Sequence, residues 1–215
     1  VSHRGNVWTI VVGGGTGERF GSAKQYERIG DDRIIDLARA NAEACSDGVV
    51  VVVPASDAER EHGIAGGPTR SASVRNGLAA VPSHADIICV HDAARPLASS
   101  DLFRSVIDAV AGGADGAVPG VAVADTIKVV ERDGSSVTVM STPARDSLVA
   151  VQTPQAFRAA LLRAAHASGR DATDDAALVE LVGGRVVVVP GDAMNRKITD
   201  WDDLEWARRA ALERR

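Results

Sequence analysis

Five short apolar runs divide the chain, at residues 7–12, 49–53, 87–90, 116–118 and 185–189. They are almost continuous in Val and Ile, as strands covered on both faces are. Between them polar and apolar residues alternate at helical spacing over 34–44, 71–80, 101–111, 155–167 and 174–182. A last helix is expected over 202–213. Alternating strands and helices predict an α/β fold: a Rossmann-like, mostly parallel sheet with helices on both faces. Ligands of such sheets bind at the carboxyl ends of the strands. Neither a repeat nor an interdomain linker interrupts the pattern, so residues 1–215 are expected to form one domain.

One segment departs from it. Residues 126–140, TIKVVERDGSSVTVM, read as two β runs around Asp133-Gly134, a hairpin signal. A hairpin inserted in an open α/β sheet projects as an arm, here at about 124–148. Its apolar positions need a cover, and a second subunit is the natural one.

The first apolar run empties into five glycines within nine residues, GGGTGERFG, followed by Lys24. A buried strand ending in a loop with little side-chain bulk lets backbone N–H groups close around an anion. Arg19 and Lys24 are cations placed to complete a polyphosphate site. The loop is not a dinucleotide fingerprint: the sixth position is Phe20 counted from Gly15, and Glu18 counted from Gly13. Nor is it a Walker loop, since the chain has no Gly-Lys pair. What remains, Gly-Gly-x-Gly-x-Arg followed by Lys-Gln, is similar to the signature loop of nucleotidyltransferases acting on sugar or polyol phosphates.

Further motifs follow in order. In Gly66-Gly67-Pro68-Thr69-Arg70-Ser71-Ala72-Ser73, Ser71 or Ser73 can cap a helix whose start holds a phosphate or reads a base edge. In His91-Asp92-Ala93-Ala94-Arg95-Pro96 the preceding strand delivers Asp92 to the sheet's carboxyl edge, where an acid can bind Mg²⁺. Ala93 and Ala94 leave room for substrate, Arg95 adds a cation, and His91 reads as a hydrogen-bonded structural histidine. Asp125-Thr126-Ile127-Lys128 precedes the arm. Arg145 leads to Gln152-Thr153-Pro154-Gln155, with Pro154 suited to a helix start. Thr173-Asp174-Asp175 opens a helix, with Thr173 either its cap or a ligand contact. Asn195-Arg196-Lys197-Ile198-Thr199 precedes the last helix.

Composition narrows the partners. Of 24 basic residues only Lys24, Lys128 and Lys197 are lysine, and each sits in a polar motif beside an apolar run. A net charge of −5 and 3% aromatics argue against a nucleic-acid binder. No stretch approaches a membrane span, and the first residues carry no signal core. Cys45 and Cys89 match no zinc spacing and read as reduced thiols of a cytoplasmic protein. His3, His62 and His84 lie in polar surroundings. No Ser/His/Asp or Cys/His set is evident.

The ordered set HDAARP, DTIK, QTPQ-x-F, TDD and N-x-KIT resembles one family, 2-C-methyl-D-erythritol 4-phosphate cytidylyltransferase, from Val7 to about Asp203. The resemblance implies a fold of the nucleotide-diphospho-sugar transferase type, a homodimer joined through a β-arm, CTP as donor and Mg²⁺ as cofactor. Arg19 and Lys24 would then stabilise charge on the CTP phosphates, and Lys197 would serve the α-phosphate. Asp92 would serve the metal and ribose region. Gly13, Gly14, Gly15, Thr16, Gly17, Gly67, Ser73 and Ala93 would line the nucleotide site. Thr126 and Arg145 would hold methylerythritol phosphate across the dimer interface, with Arg95, Thr153 and Thr173 on the same side. The chain departs from the family in a shorter tip, with Arg19 and Lys24 five apart, and in Ala23, Glu27 and Pro68. A sister enzyme using ribitol 5-phosphate or another polyol phosphate would share nearly all these residues. A non-catalytic nucleotide-binding homologue would not need the whole set.

Overall fold

A computed structural model of the chain describes residues 5–15, 20 and 23–213. The strands are β1 (Val7–Val12), β2 (Arg28–Ile29), β3 (Asp32–Arg33), β4 (Gly48–Val53), β5 (Ile64–Ala65), β6 (Ile87–Asp92), β7 (Gly116–Ala122), β8 (Val129–Asp133), β9 (Ser136–Ser141), β10 (Val149–Val151), β11 (Gln155–Arg158) and β12 (Val186–Pro190). The helices are α1 (Ile34–Glu43), α2 (Arg70–Ala80), α3 (Ser100–Ala111), α4 (Ala159–Ala167), α5 (Asp175–Leu181) and α6 (Trp201–Glu213).

Eight strands form one sheet in the order β10-β7-β11-β6-β1-β4-β5, with β12 paired to β7. The β1–β4, β1–β6, β4–β5 and β7–β12 pairs are parallel, whereas β10 and β11 run antiparallel to their neighbours. The period-two rule explains the continuous Val and Ile runs. Val7 and Val11 of β1, Val51 and Val53 of β4, and Ile87 and Cys89 of β6 pack on one face against α1 and α3. Their even-numbered neighbours Ile10, Val50, Val52, Ile88 and Val90 pack on the other face against α2, α4 and α5. Both faces are covered, so every position of these strands must be apolar or satisfied. A third cluster joins Leu204, Ala207 and Ala210 of α6 to Ile29, Ile34, Leu97 and Ile198. No helix among the described residues is long and apolar enough to cross a membrane.

The structure corrects four details of the sequence reading. The helix expected at 155–167 begins only at Ala159, because Gln155–Arg158 form β11 between β6 and β7. Pro154 therefore precedes a strand rather than opening a helix. Thr69 is the cap of α2, its hydroxyl accepting from Ala72 N–H at 3.0 Å, while Ser71 and Ser73 lie inside the helix. Asp174 is the cap of α5, accepting from Ala177 N–H at 3.0 Å, and Thr173 lies outside it. In each helix a neighbouring short polar side chain satisfies an orphan donor of the first turn.

The hairpin forms as expected. β8 and β9 pair antiparallel around Gly134, whose φ of +56° favours glycine. Val129, Val130, Val137 and Val139 are exposed on it.

Candidate active site

Three carboxyl-edge elements converge on a cleft of about 480 Å³. Val12 at the end of β1 stands in register with Asp92 at the end of β6 and with Val52 of β4. Beyond them Gly13, Gly14 and Gly15 form one wall, and Gly67 to Arg70, with Ser73, form the opposite one. Lys24, Gln25, Ala93, Ala94 and Lys197 complete the lining. The glycines permit a narrow approach: a Cβ on Gly67 would lie 2.5 Å from the Cβ of Ala72. Ser73 braces this wall by accepting from Gly67 N–H at 3.1 Å and donating to the Thr69 carbonyl at 3.0 Å.

Asp92 is the centre of the charge arrangement. It is 7% exposed, and its carboxylate accepts from Lys197 Nζ at 2.6 Å and from Arg70 Nε at 3.2 Å. Burial works against its ionisation, but the charges of Arg70 and Lys197, with the Lys197 hydrogen bond, outweigh it and hold the carboxyl well below the usual range. Asp92 N–H donates to Thr153 Oγ1 at 3.0 Å. That hydroxyl lies 3.1 Å from His91 Nδ1, and His91 Nε2 lies 3.2 Å from the Arg95 carbonyl. A carbonyl only accepts, so His91 carries its proton on Nε2 and Thr153 donates to Nδ1. Burial pushes His91 down to about 4, so it is neutral near pH 7. It is a structural histidine, as its sequence context indicates.

The lysines arrive on anchored loops. Lys24 opens a 3-10 turn, Lys24–Tyr26, pinned by Tyr26 Oη donating to Asp57 at 2.8 Å. Its Nζ donates to the Ile198 carbonyl at 2.9 Å, tying that turn to the segment carrying Lys197. Lys197 lies between Asn195 and Ile198, both fully buried. Asn195 Nδ2 donates to the Thr153 carbonyl at 2.8 Å, and Ile198 N–H donates to the Ala94 carbonyl at 2.8 Å. After it, Asp203 N–H donates to Asp200 Oδ1 at 3.0 Å while Asp200 N–H donates to Asp203 Oδ2 at 3.4 Å, a reciprocal cap that starts α6, and Thr199 N–H donates to the same Asp203 oxygen at 2.8 Å.

Of the residues expected from sequence, Gly13, Gly14, Gly15, Lys24, Gly67, Ser73, Asp92, Ala93 and Lys197 meet in the cleft. Thr16, Gly17 and Arg19 lie outside the described residues. Thr153 is buried behind Asp92. Arg95 donates to the Asn195 carbonyl at 2.7 Å and to the Val151 carbonyl at 3.5 Å, and burial lowers its affinity for its proton. Thr173 is exposed beside α5. Thr126 and Arg145 stand together near the base of the arm, 3.4 Å apart, exposed and outside the cleft lining.

Arg70 and Gln25 are among the lining residues to which sequence reasoning gave no role. Arg70 bridges Asp92 and the fully buried Asp175, with Nη1 donating to Asp175 Oδ2 at 2.8 Å. Burial opposes its charge, but the two carboxylates more than compensate and raise its pKa. A sequence signal existed, because a cation in the first turn of a helix is disfavoured by the helix dipole unless an acid offsets it. Gln25 is 4% exposed, and its Nε2 has no partner among the described residues. Its place beside Lys24 was the only sequence clue.

A family model described as 2-C-methyl-D-erythritol 4-phosphate cytidylyltransferase matches residues 7–214. A protein of that name from Rubrobacter xylanophilus is 40% identical over 227 residues, covering 96% of each chain. A protein named bifunctional enzyme IspD/IspF from Anaeromyxobacter dehalogenans is 41% identical over 95% of this chain and 56% of its own length. The chain thus spans about half the length of that bifunctional relative. The solved structure of 2-C-methyl-D-erythritol 4-phosphate cytidylyltransferase from Thermus thermophilus is similar, with a TM-score of 0.79, 31% identity and coverage of 94% and 98% of the two chains.

The state of His91 makes a stability prediction. Its folded pKa of about 4 lies below the ordinary 6.5, so the unfolded chain binds the proton first. Stability attributable to this group is intact above pH 6.5 and is lost as pH falls towards 4. Between pH 7 and pH 5 the expected loss is about 2 kcal/mol. Urea unfolding of wild type and His91→Gln at both pH values checks it. The variant should lose less stability by about that amount, and equal losses would show that His91 does not titrate in this way.

Proposed function

The chain belongs to the 2-C-methyl-D-erythritol 4-phosphate cytidylyltransferase family, and from that premise we propose that it transfers CMP from CTP to 2-C-methyl-D-erythritol 4-phosphate, releasing pyrophosphate. The observation that carries this reading is the convergence of Lys24, Lys197 and the ionised Asp92 on one glycine-walled cleft. Residues 1–215 act in it as one nucleotidyltransferase domain. Its two cysteines are buried thiols that form no disulfide, which suits the reducing cytoplasm.

A phosphomonoester has its second pKa near 6, so the attacking oxygen is already ionised at about neutral pH and needs no general base. The acceptor phosphate attacks the α-phosphorus of CTP, a P–O bond forms there, and the bond to the β-phosphate oxygen breaks as pyrophosphate leaves. The protein's work is to hold two anions together and to offset charge on the transferring group. Lys24 and Lys197 supply mobile ammonium groups for this. Arg19 is assigned to the same phosphates. The wall of Gly13 to Gly15, Gly67, Ser73 and Ala93, with Thr16 and Gly17, is assigned to the base and ribose.

Among the described residues no group of three or more His, Cys, Asp or Glu could hold a metal. An ionised carboxylate in a polyphosphate cleft fits Mg²⁺, which is commonly held by one or two carboxylates and the substrate's own phosphates. Asp92 is the residue that would hold it. When bound, Mg²⁺ would neutralise phosphate charge and help orient the triphosphate.

Thr126 and Arg145 stand outside the cleft of their own chain, and the arm bearing them exposes a set of valines. A homodimer in which each arm packs on the partner covers those valines and brings Thr126 and Arg145 to the partner's cleft. There they would hold the acceptor, with Arg95 and Thr173 shaping the neighbouring wall and Thr153 acting from behind it through Asp92.

Pyrophosphate release from CTP and Mg²⁺ tests this reading. Release with 2-C-methyl-D-erythritol 4-phosphate and none with ribitol 5-phosphate is expected. The opposite preference would move the activity to a sister enzyme, and silence with both would leave a nucleotide-binding homologue. Lys24→Ala and Lys197→Ala should each lower kcat on the order of 10²-fold or more with the fold intact. Near wild-type turnover in both would contradict the charge-offset mechanism.

A further inference from the structure

Behind the cleft wall, Asp175 and His166 are buried and paired with each other, yet neither lines the cleft. Asp175 lies in the first turn of α5, and His166 in the last turn of α4. A carboxylate removed from water must be paired and hydrogen-bonded. Asp175 Oδ1 lies 3.0 Å from His166 Nε2, and its Oδ2 accepts from Arg70 Nη1 at 2.8 Å. Arg70 then uses Nε to reach Asp92 Oδ1 at 3.2 Å. One planar guanidinium thus joins a carboxylate behind the wall to the carboxylate in the cleft. A lysine, a point charge with no rigid fork, lacks this geometry.

The two cations on Asp92 are held differently. Lys197 donates to Oδ2 from a side chain that is 40% exposed. Arg70 is 23% exposed at its side chain and is fixed from behind by Asp175. Oδ2 is therefore held by a cation free to turn towards solvent or a phosphate, and Oδ1 by one that is not.

We propose that the Asp175–His166 pair is a positioning unit: it fixes Arg70, and through Arg70 the carboxylate of Asp92, so that Lys197 can leave Oδ2 without loss of carboxylate orientation when the metal–nucleotide enters. This rests on the cytidylyltransferase reading above. Neither Asp175 nor His166 needs to touch substrate. Their effect is confined to interactions that pass through Asp92.

Calorimetric titration tests it on the full chain, with Mg·CTP and, separately, CMP without metal as probes. Asp175→Asn and Arg70→Met should each weaken Mg·CTP about 10-fold or more, as loss of outer partners of a metal ligand does. CMP affinity should stay unchanged in Asp175→Asn, whose side chain lies behind the wall and does not line the cleft. The Arg70→Met/Asp175→Asn double variant should bind Mg·CTP no more weakly than Arg70→Met, because Asp175 acts only through Arg70. His166→Gln, which keeps both charges of the pair beside it, should weaken Mg·CTP in the same direction and covers the case in which Asp175→Asn fails to fold. Wild-type Mg·CTP affinity in Asp175→Asn or, failing that, in His166→Gln overturns the proposal. So do additive losses in the double variant, or a parallel loss of CMP binding in Asp175→Asn or His166→Gln, which would make the pair merely structural. A wild type that binds no CTP under any condition removes the functional reading and this inference with it.

Discussion

The ion pair between Asp92 and its two cations is the interaction on which the site depends. A carboxylate that is 7% exposed stays ionised only where positive charge and donors replace water. Arg70, Lys197 and the Asp92 backbone donor to Thr153 define where that carboxylate sits. Each of those partners comes from a different part of the chain: α2, the segment before α6, and the segment before β11. The sheet makes this meeting possible by ending β1 and β6 in register at one edge. Fold and charge are coupled at Asp92, since each of these elements supplies one of the partners that replace water around a buried carboxylate.

Most of the sheet was legible because of its double coverage. β1, β4 and β6 send odd-numbered residues to one face and even-numbered residues to the other, so both must be apolar and the runs stand out. β11 was hidden for a related reason. It is four residues long, and Ala156 and Phe157 point to opposite faces. Two apolar neighbours fit the beginning of the following helix as readily as a strand. Its strand character comes from β6 and β7 on either side, which local sequence does not contain.

The site was legible where function is written in local motifs and obscure where it is written in distant pairs. The glycine wall, Lys24, Asp92 and Lys197 each stand in a short pattern with a chemical meaning. Arg70 takes its role from Asp175, 105 residues away, and Thr153 from Asp92, 61 residues away. Thr153 was expected at the substrate. Its hydroxyl instead links the backbone of Asp92 to a neutral His91, a role that only tertiary structure reveals. Thr126 and Arg145 pose the converse case: motif reading pairs them, the structure places them 3.4 Å apart, and the arm carries both away from their own cleft.

The central claim is that Asp92 is the protein's own point of contact with the metal–nucleotide. The most direct measurement is CTP affinity by calorimetry, with and without Mg²⁺, for wild type and Asp92→Asn. The account predicts that Mg²⁺ strengthens CTP binding to wild type and that Asp92→Asn abolishes this gain while metal-free nucleotide still binds. An equal gain from Mg²⁺ in both proteins would contradict it.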